Sequence, residues 1–233
     1  MKNAAELTVE AGRPDTLTRG VLRAMKSHGV TRISINPQTM NDGTLRLIGR
    51  AHTAEEFLNG WRLARDEGFT NINADLIMGL PNETEAHAAR TMDAMQKLNP
   101  ESLTVHTLAI KRASRLKEEL HQHELPDANE TEKMLDVARS RCEEMGMKPY
   151  YMYRQKNSSG NFENVGYCKE GFECVYNAQI TEEKQTIIAL GAGGVTKIYY
   201  RESDRIERVF NVKEPGEYIR RIDEITERKK NIC

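Results

Sequence analysis

The stretch His28-Gly29-Val30-Thr31-Arg32-Ile33-Ser34 recurs in kind as Glu67-Gly68-Phe69-Thr70-Asn71-Ile72-Asn73. In both copies a helix ends on glycine, an apolar residue packs, and a strand begins. Around them the chain reads as four strand–helix units. Leu7 to Glu10 is a short strand, and Asp15 is expected to cap a helix bearing Leu17, Val21, Leu22 and Met25. Thr31 to Ile35 is the second strand. Thr53 and Glu56 have capping-box spacing ahead of a helix that buries Phe57, Trp61 and Ala64. Asn71 to Met78 is the third strand. Asn82 and Glu85 are expected to start a helix with Ala88, Met92 and Met95, ended by Asn99-Pro100, before a fourth strand from Ser102 to Ile110. Successive units of this kind imply parallel strands joined by right-handed crossovers, in a barrel or a doubly wound sheet.

The second half has another rhythm. Ser114 to Leu125 reads as a charged helix broken by Pro126. Asn129 and Glu132 are placed to cap a helix with Met134, Leu135, Ala138 and Cys142, ended by Gly146. Tyr150 to Gln155 is extended and aromatic, and residues 157–161 form a loop. Gln185 to Leu190 is expected as a strand, and Pro215-Gly216 opens a final amphipathic helix with Tyr218, Ile219, Ile222 and Ile225. No Ser/Pro/Gly linker separates the halves. They read as an α/β unit over residues 1–112 with a C-terminal α+β elaboration over residues 113–233.

With 34 Lys+Arg against 35 Asp+Glu, the net charge of -1 carries no basic excess for nucleic acid. No apolar run approaches the ~18 residues of a membrane helix. Four cysteines in 233 residues do not make a disulfide scaffold, so a reducing cytoplasm is expected. Cys168 and Cys174 are six apart, without zinc-ligand spacing. Gly191-Ala192-Gly193-Gly194 lacks the full dinucleotide-loop spacing, and Val195 to Tyr200 after it favours a strand over a helix.

In parallel barrels the site lies at the C-terminal strand ends. Polar residues stand at each such point: Glu10, then Asn36 and Gln38, then Asp75, then His106 and Thr107. A charged group within a strand is costly to bury unless paired or bound. One such residue is commonly a cap or a satisfied core group. Four in succession mark a site without naming its reaction.

The ordered segments Val9-Glu10-Ala11-Gly12-Arg13-Pro14-Asp15, Arg32 to Gln38, Gly49-Arg50-Ala51-His52 and Asp75-Leu76-Ile77-Met78-Gly79-Leu80-Pro81 resemble the radical-SAM oxygen-independent coproporphyrinogen III oxidases. Leu103 to Arg112, Tyr151 to Asn157 and Asn164 to Tyr167 are similar to the HemZ-like branch of that family. The resemblance implies a partial (β/α) barrel with a C-terminal substrate-covering region. It further implies a [4Fe–4S] cluster that cleaves S-adenosylmethionine, and a porphyrinogen whose propionates are oxidatively decarboxylated to vinyls in heme biosynthesis. By motif, Glu10 would hold the SAM ribose or its neighbourhood, and Gln38, Arg50 and Asp75 would line the SAM pocket, Arg50 pairing a carboxylate. Ala109 and Val195 would make backbone contacts near the adenine or a second SAM. The Tyr150–Asn157 stretch would face the porphyrinogen, with Tyr151 and Tyr153 on pyrroles and Arg154, Lys156 and Asn157 toward its polar groups.

The cluster-binding CxxxCxxC motif and the glycine-rich turn of the family are absent from this sequence. The expectation is a chain lacking the first barrel strands, inactive alone, whose barrel a separate N-terminal half could complete. Two other readings are a heme-binding chaperone of the same barrel family, with His106 a possible ligand, and a non-catalytic domain that binds SAM or a partner.

Overall fold

The computed structural model describes residues 4–109, 123–155 and 159–230. It comprises two compact units, Met1–Cys174 and Val175–Cys233. In the first, four parallel strands follow one another: β1 (Thr8–Gly12), β2 (Arg32–Ile35), β3 (Ile72–Met78) and β4 (Ser102–Thr107). Between them run α1 (Arg19–Ser27), α2 (Asp42–Leu47), α3 (Ala54–Asp66) and α4 (Glu85–Leu98). After α5 (Ala128–Glu144), β5 (Lys148–Tyr153) and β6 (Asn164–Cys168) join the same sheet antiparallel, giving the order β1-β2-β3-β4-β6-β5. The sheet therefore runs across the 112/113 boundary expected from sequence.

The repeat that organises the sequence is real down to its hydrogen bonds. Gly29 and Gly68 both sit at positive φ, 79° and 82°. Val30 N–H donates back to Met25 O and Phe69 N–H to Ala64 O, at 3.0 and 3.1 Å. Gly146 repeats the arrangement, with φ 73° and Met147 N–H to Cys142 O at 2.9 Å. Each is a helix stop that satisfies orphan carbonyls and aims an apolar residue inward, Val30, Phe69 and Met147 all being buried.

Strand side chains alternate between two faces. Ile33 and Ile35, Ile72, Ala74, Leu76 and Met78, and Leu103 and Val105 form one core with helix residues Leu22, Phe57, Trp61, Met92, Met95, Met134 and Ala138. Burying each large side chain contributes ~1.5–3 kcal/mol. The alternate residues face the other way and, apart from Ile77, are polar.

Several local expectations are corrected. Asp15 lies in a 3-10 turn and accepts from Arg13, while Thr18 caps α1 through Val21 N–H at 3.3 Å. Val21 is 41% exposed rather than packed. Thr84, with His87, starts α4 in place of Asn82 and Glu85. Asp127, two residues before Asn129, caps α5 through Glu130 N–H at 2.7 Å. Thr53 and Glu56 form the expected capping box. The charged helix expected over 114–125 falls largely outside the described residues.

The second unit contains α6 (Val175–Glu182), a hairpin of β7 (Val195–Tyr200) and β8 (Arg205–Phe210), and the helices α7 (Pro215–Arg220) and α8 (Ile222–Lys230). The strand expected at Gln185–Leu190 reduces to one bridge, Ile187 with Lys197. The expected single last helix is two, broken at Arg221. Gly191–Gly194 leads into a strand, so it is no dinucleotide loop.

Candidate functional site

The polar face of the first unit's sheet is one hydrogen-bonded surface. Its floor is Arg32 and Ser34 on β2, Asn73 on β3, and Ser102 and Thr104 on β4, all buried. Asn73 is the hub. Its Nδ2 donates to Ser34 Oγ at 2.9 Å and Asp75 Oδ1 at 2.8 Å, and its Oδ1 accepts from Ser102 Oγ at 3.1 Å. Ser34 Oγ donates to Asn36 Oδ1 at 2.7 Å, and that oxygen also accepts Asp75 N–H at 3.2 Å. Arg32 Nη2 donates to Ser102 Oγ at 2.9 Å, and its Nε is buried without a partner.

Toward the C-terminal ends of the parallel strands the surface opens, as Asp75 and His106 keep 22% and 23% of their side chains exposed. His106 Nε2 lies 3.7 Å from Asp75 Oδ2, and Tyr153 OH bonds His106 Nδ1 at 3.2 Å. One residue pair down, Tyr151 OH bonds Thr104 Oγ1 at 3.2 Å. The two tyrosine rings are parallel, 6.3 Å between centroids and 4° between planes. Both reach from the edge strand β5 across β6 to β4, passing β6 where Gly166 has no side chain to obstruct Tyr151.

Glu10 pairs with Ser34 on the edge of the sheet. Protein crowding around its carboxyl, and then the charge of Asp75, push its pKa up, against hydrogen bonds from Ser34 and Asn36 and the charge of Arg32. Glu10 remains solvent-exposed, so the effect is screened. Gln38 extends β2 past Pro37. At φ 67° its N–H donates to Asp75 O at 3.0 Å and its O accepts Ile77 N–H at 2.9 Å. Arg50 is half-buried. Desolvation, and then Arg13, lower its pKa, while Asp75 opposes them, and no ion pair of Arg50 occurs among the described residues. His52 is buried, bonds Pro37 O through Nε2 at 3.3 Å, and is held below the usual histidine pKa, chiefly by desolvation.

Glu10 and Arg50 thus each lie within electrostatic reach of Asp75, with Gln38 bonded to the Asp75 backbone. Tyr151 and Tyr153 adjoin them through β4. Arg154 is exposed and pairs Glu163 at 3.0 Å. Ala109 ends the described stretch 4–109, half-buried. Val195 opens β7 in the second unit, and Asn157 lies outside the described residues. The sequence reading passed over Arg32, Ser34, Asn73 and Thr104. Their signal was alternation: Arg32-Ser34-Asn36, Asn73-Asp75 and Ser102-Thr104-His106 are polar at every second residue.

The radical SAM superfamily profile matches residues 3–95, the stretch from β1 to α4 that carries Glu10, Gln38, Arg50 and Asp75. Residues 3–95 are a radical SAM domain. Beyond this domain the likeness runs almost the whole chain. The oxygen-independent coproporphyrinogen-III oxidase-like protein HemZ of Bacillus subtilis is 44% identical over 229 residues, 98% of this chain and 46% of that protein. The heme chaperone HemW of the same organism is 30% identical over 81% of this chain and 47% of its own length. The structure of coproporphyrinogen III oxidase (HemN) from Escherichia coli superposes with a TM-score of 0.68 at 20% identity, covering 94% of this chain and 49% of that one. The radical SAM domain and the strands added to it therefore share that fold. The chain spans about half the length of these relatives. No helix among the described residues is long and apolar enough to cross a membrane.

Proposed function

We propose that the polar face binds S-adenosylmethionine beside a carboxylated tetrapyrrole, as part of a coproporphyrinogen III oxidase that converts propionates to vinyls. The observation that carries this reading is Arg50: a half-buried guanidinium, close to Asp75, with no carboxylate paired to it among the described residues. A planar fork of donors left open in a cleft suits a ligand carboxylate. Asp75 and Glu10 would accept ribose hydroxyls or an ammonium, and Gln38 would border them. Tyr151 and Tyr153 offer parallel aromatic surface to a pyrrole face.

S-adenosylmethionine supplies, when cleaved, the radical that removes a hydrogen from the substrate. This chain's residues bind and orient. The residues present do not fit the [4Fe–4S] cluster of the family. Cys142, Cys168, Cys174 and Cys233 lack the CxxxCxxC spacing, and among the described residues no three His, Cys, Asp or Glu side chains converge on a metal position. Cluster ligands would come from outside these 233 residues.

The likeness to HemW supports a second reading, heme binding. Both ring nitrogens of His106 already face partners, Tyr153 and Asp75, which argues against a free axial ligand. Titrating the chain with S-adenosylmethionine, with coproporphyrin III and with heme separates the readings. The proposal expects Arg50→Ala to weaken the first at least about tenfold and Tyr151→Ala to weaken the second. Tight heme binding lost in His106→Ala, with no response to the other two ligands, would replace it with the chaperone reading.

A further inference from the structure

Tyr153, His106 and Asp75 form a chain with a direction. If His106 is neutral with its proton on Nε2 toward Asp75, then Nδ1 is an acceptor and Tyr153 OH must donate to it. The phenol's proton is then spent inside the protein, and it shows the open side of the sheet only lone pairs. If His106 takes up a second proton, Nδ1–H becomes the donor. The Tyr153 oxygen then accepts from the ring, and its own O–H is released toward the cleft.

Resting on the tetrapyrrole reading above, we propose that His106 sets the polarity of Tyr153, so that a substrate carboxylate seated at Tyr153 binds with uptake of one proton by His106. The proton comes from solvent onto Nδ1. Tyr153 keeps its own proton and donates it to the ligand carboxylate, and no covalent bond changes. Asp75 lies 3.7 Å from Nε2 and steadies the imidazolium. Among the described residues, the groups facing His106 are few. β3 brings Asp75, itself under the influence of Glu10 and Arg50. β5 brings Tyr153, with Tyr151 stacked beside it and the Gln155 side chain bonded to the Tyr153 hydroxyl, and burial raises the pKa of both phenols. β6 brings Asn164 and Gly166, which carry no charge. Tyr153 is half-buried, and its oxygen, accepting from Gln155 and from the protonated ring, keeps its O–H for a ligand. His106 is in this account a positioning residue, acting through Tyr153.

The test uses the whole chain and zinc(II) coproporphyrin III, a fluorescent tetracarboxylate whose ring nitrogens do not titrate. Affinity is measured from pH 6 to 8.5, and protons are counted by calorimetry in buffers of different ionisation enthalpy. The expected result is uptake approaching one proton per porphyrin, with affinity falling toward about tenfold per pH unit as pH rises. His106→Asn, whose amide can still accept from Tyr153, is expected to abolish the uptake and flatten the profile at the weak, high-pH affinity. Tyr153→Phe is expected to remove most of the pH dependence while leaving His106 titratable by NMR. Binding that is independent of pH, or proton uptake that persists in His106→Asn, overturns this inference and leaves the tetrapyrrole reading standing. No binding at any pH overturns both.

Discussion

A Cβ placed on Gly166 would stand 1.8 Å from Tyr151 Cε1, because the tyrosine ring lies across β6 at the one point where that strand has no side chain. The ring reaches Thr104 on β4 only by that route. Gly166→Ala must displace Tyr151 and break this bond. We expect a loss of ~1–3 kcal/mol in urea unfolding, the usual cost of forcing atoms into a packed position. In a Tyr151→Ala background the same substitution should cost much less, since the clashing partner is gone. Additive effects would show that the ring does not occupy this place.

Asn73 uses both ends of its amide, bonding Ser34, Asp75 and Ser102. Removing it strands several buried groups at once, each worth about 1–3 kcal/mol when left without a partner. Asn73→Ala should therefore destabilise by at least ~2 kcal/mol, measured by chemical denaturation. A loss within the ordinary surface range of ±0.5 kcal/mol would mean that water replaces the network without cost.

Helix starts give a paired comparison. Thr18→Ala and Thr53→Ala each remove a cap and should cost about 1 kcal/mol. Asp15→Ala removes only an ion pair with the exposed Arg13 and should fall well below that. Equal losses at Asp15 and Thr18 would restore the cap expected from sequence.

Glu83 is 3% exposed, and burial raises its carboxyl pKa despite hydrogen bonds from Thr39 and Thr44. The folded chain thus holds this proton more tightly than the unfolded chain. Stability linked to Glu83 is complete below the unfolded value, near 4.5, and is lost as pH rises through the higher folded value. Glu83→Gln removes that dependence. Thermal unfolding should show the variant gaining on the parent as pH rises from ~4 to ~7. A difference between the two that stays constant with pH would contradict the assignment.

The parallel half of the fold was legible because its signals are local. Gly29, Gly68 and Gly146 stop helices by backbone geometry alone, and the apolar face of each strand repeats at every second residue. What lay hidden was non-local. Nothing in Asn164–Cys168 announces a strand that inserts between β4 and β5, since that pairing is decided by β4, some 60 residues earlier. The misplaced caps have a similar cause: Asp15, Asn82 and Asn129 are good cap residues, but Thr18, Thr84 and Asp127 sit where the incoming chain is extended. Of the site, Glu10, Arg50 and Asp75 could be picked from motif and charge. Asn73, Ser34 and Thr104 were harder to see, because short polar residues in strands are ordinary until the register lines them up on one face.

S-adenosylmethionine is proposed to occupy the polar face of the sheet. Amide chemical-shift mapping of the chain during titration with S-adenosylmethionine tests that directly. The predicted result is a contiguous set of shifted resonances at Glu10, Gln38, Arg50 and Asp75, lost in Arg50→Ala. Shifts confined to the opposite, helix-covered side around Leu58, Arg90 and Lys97, or a titration unaffected by Arg50→Ala, would contradict it.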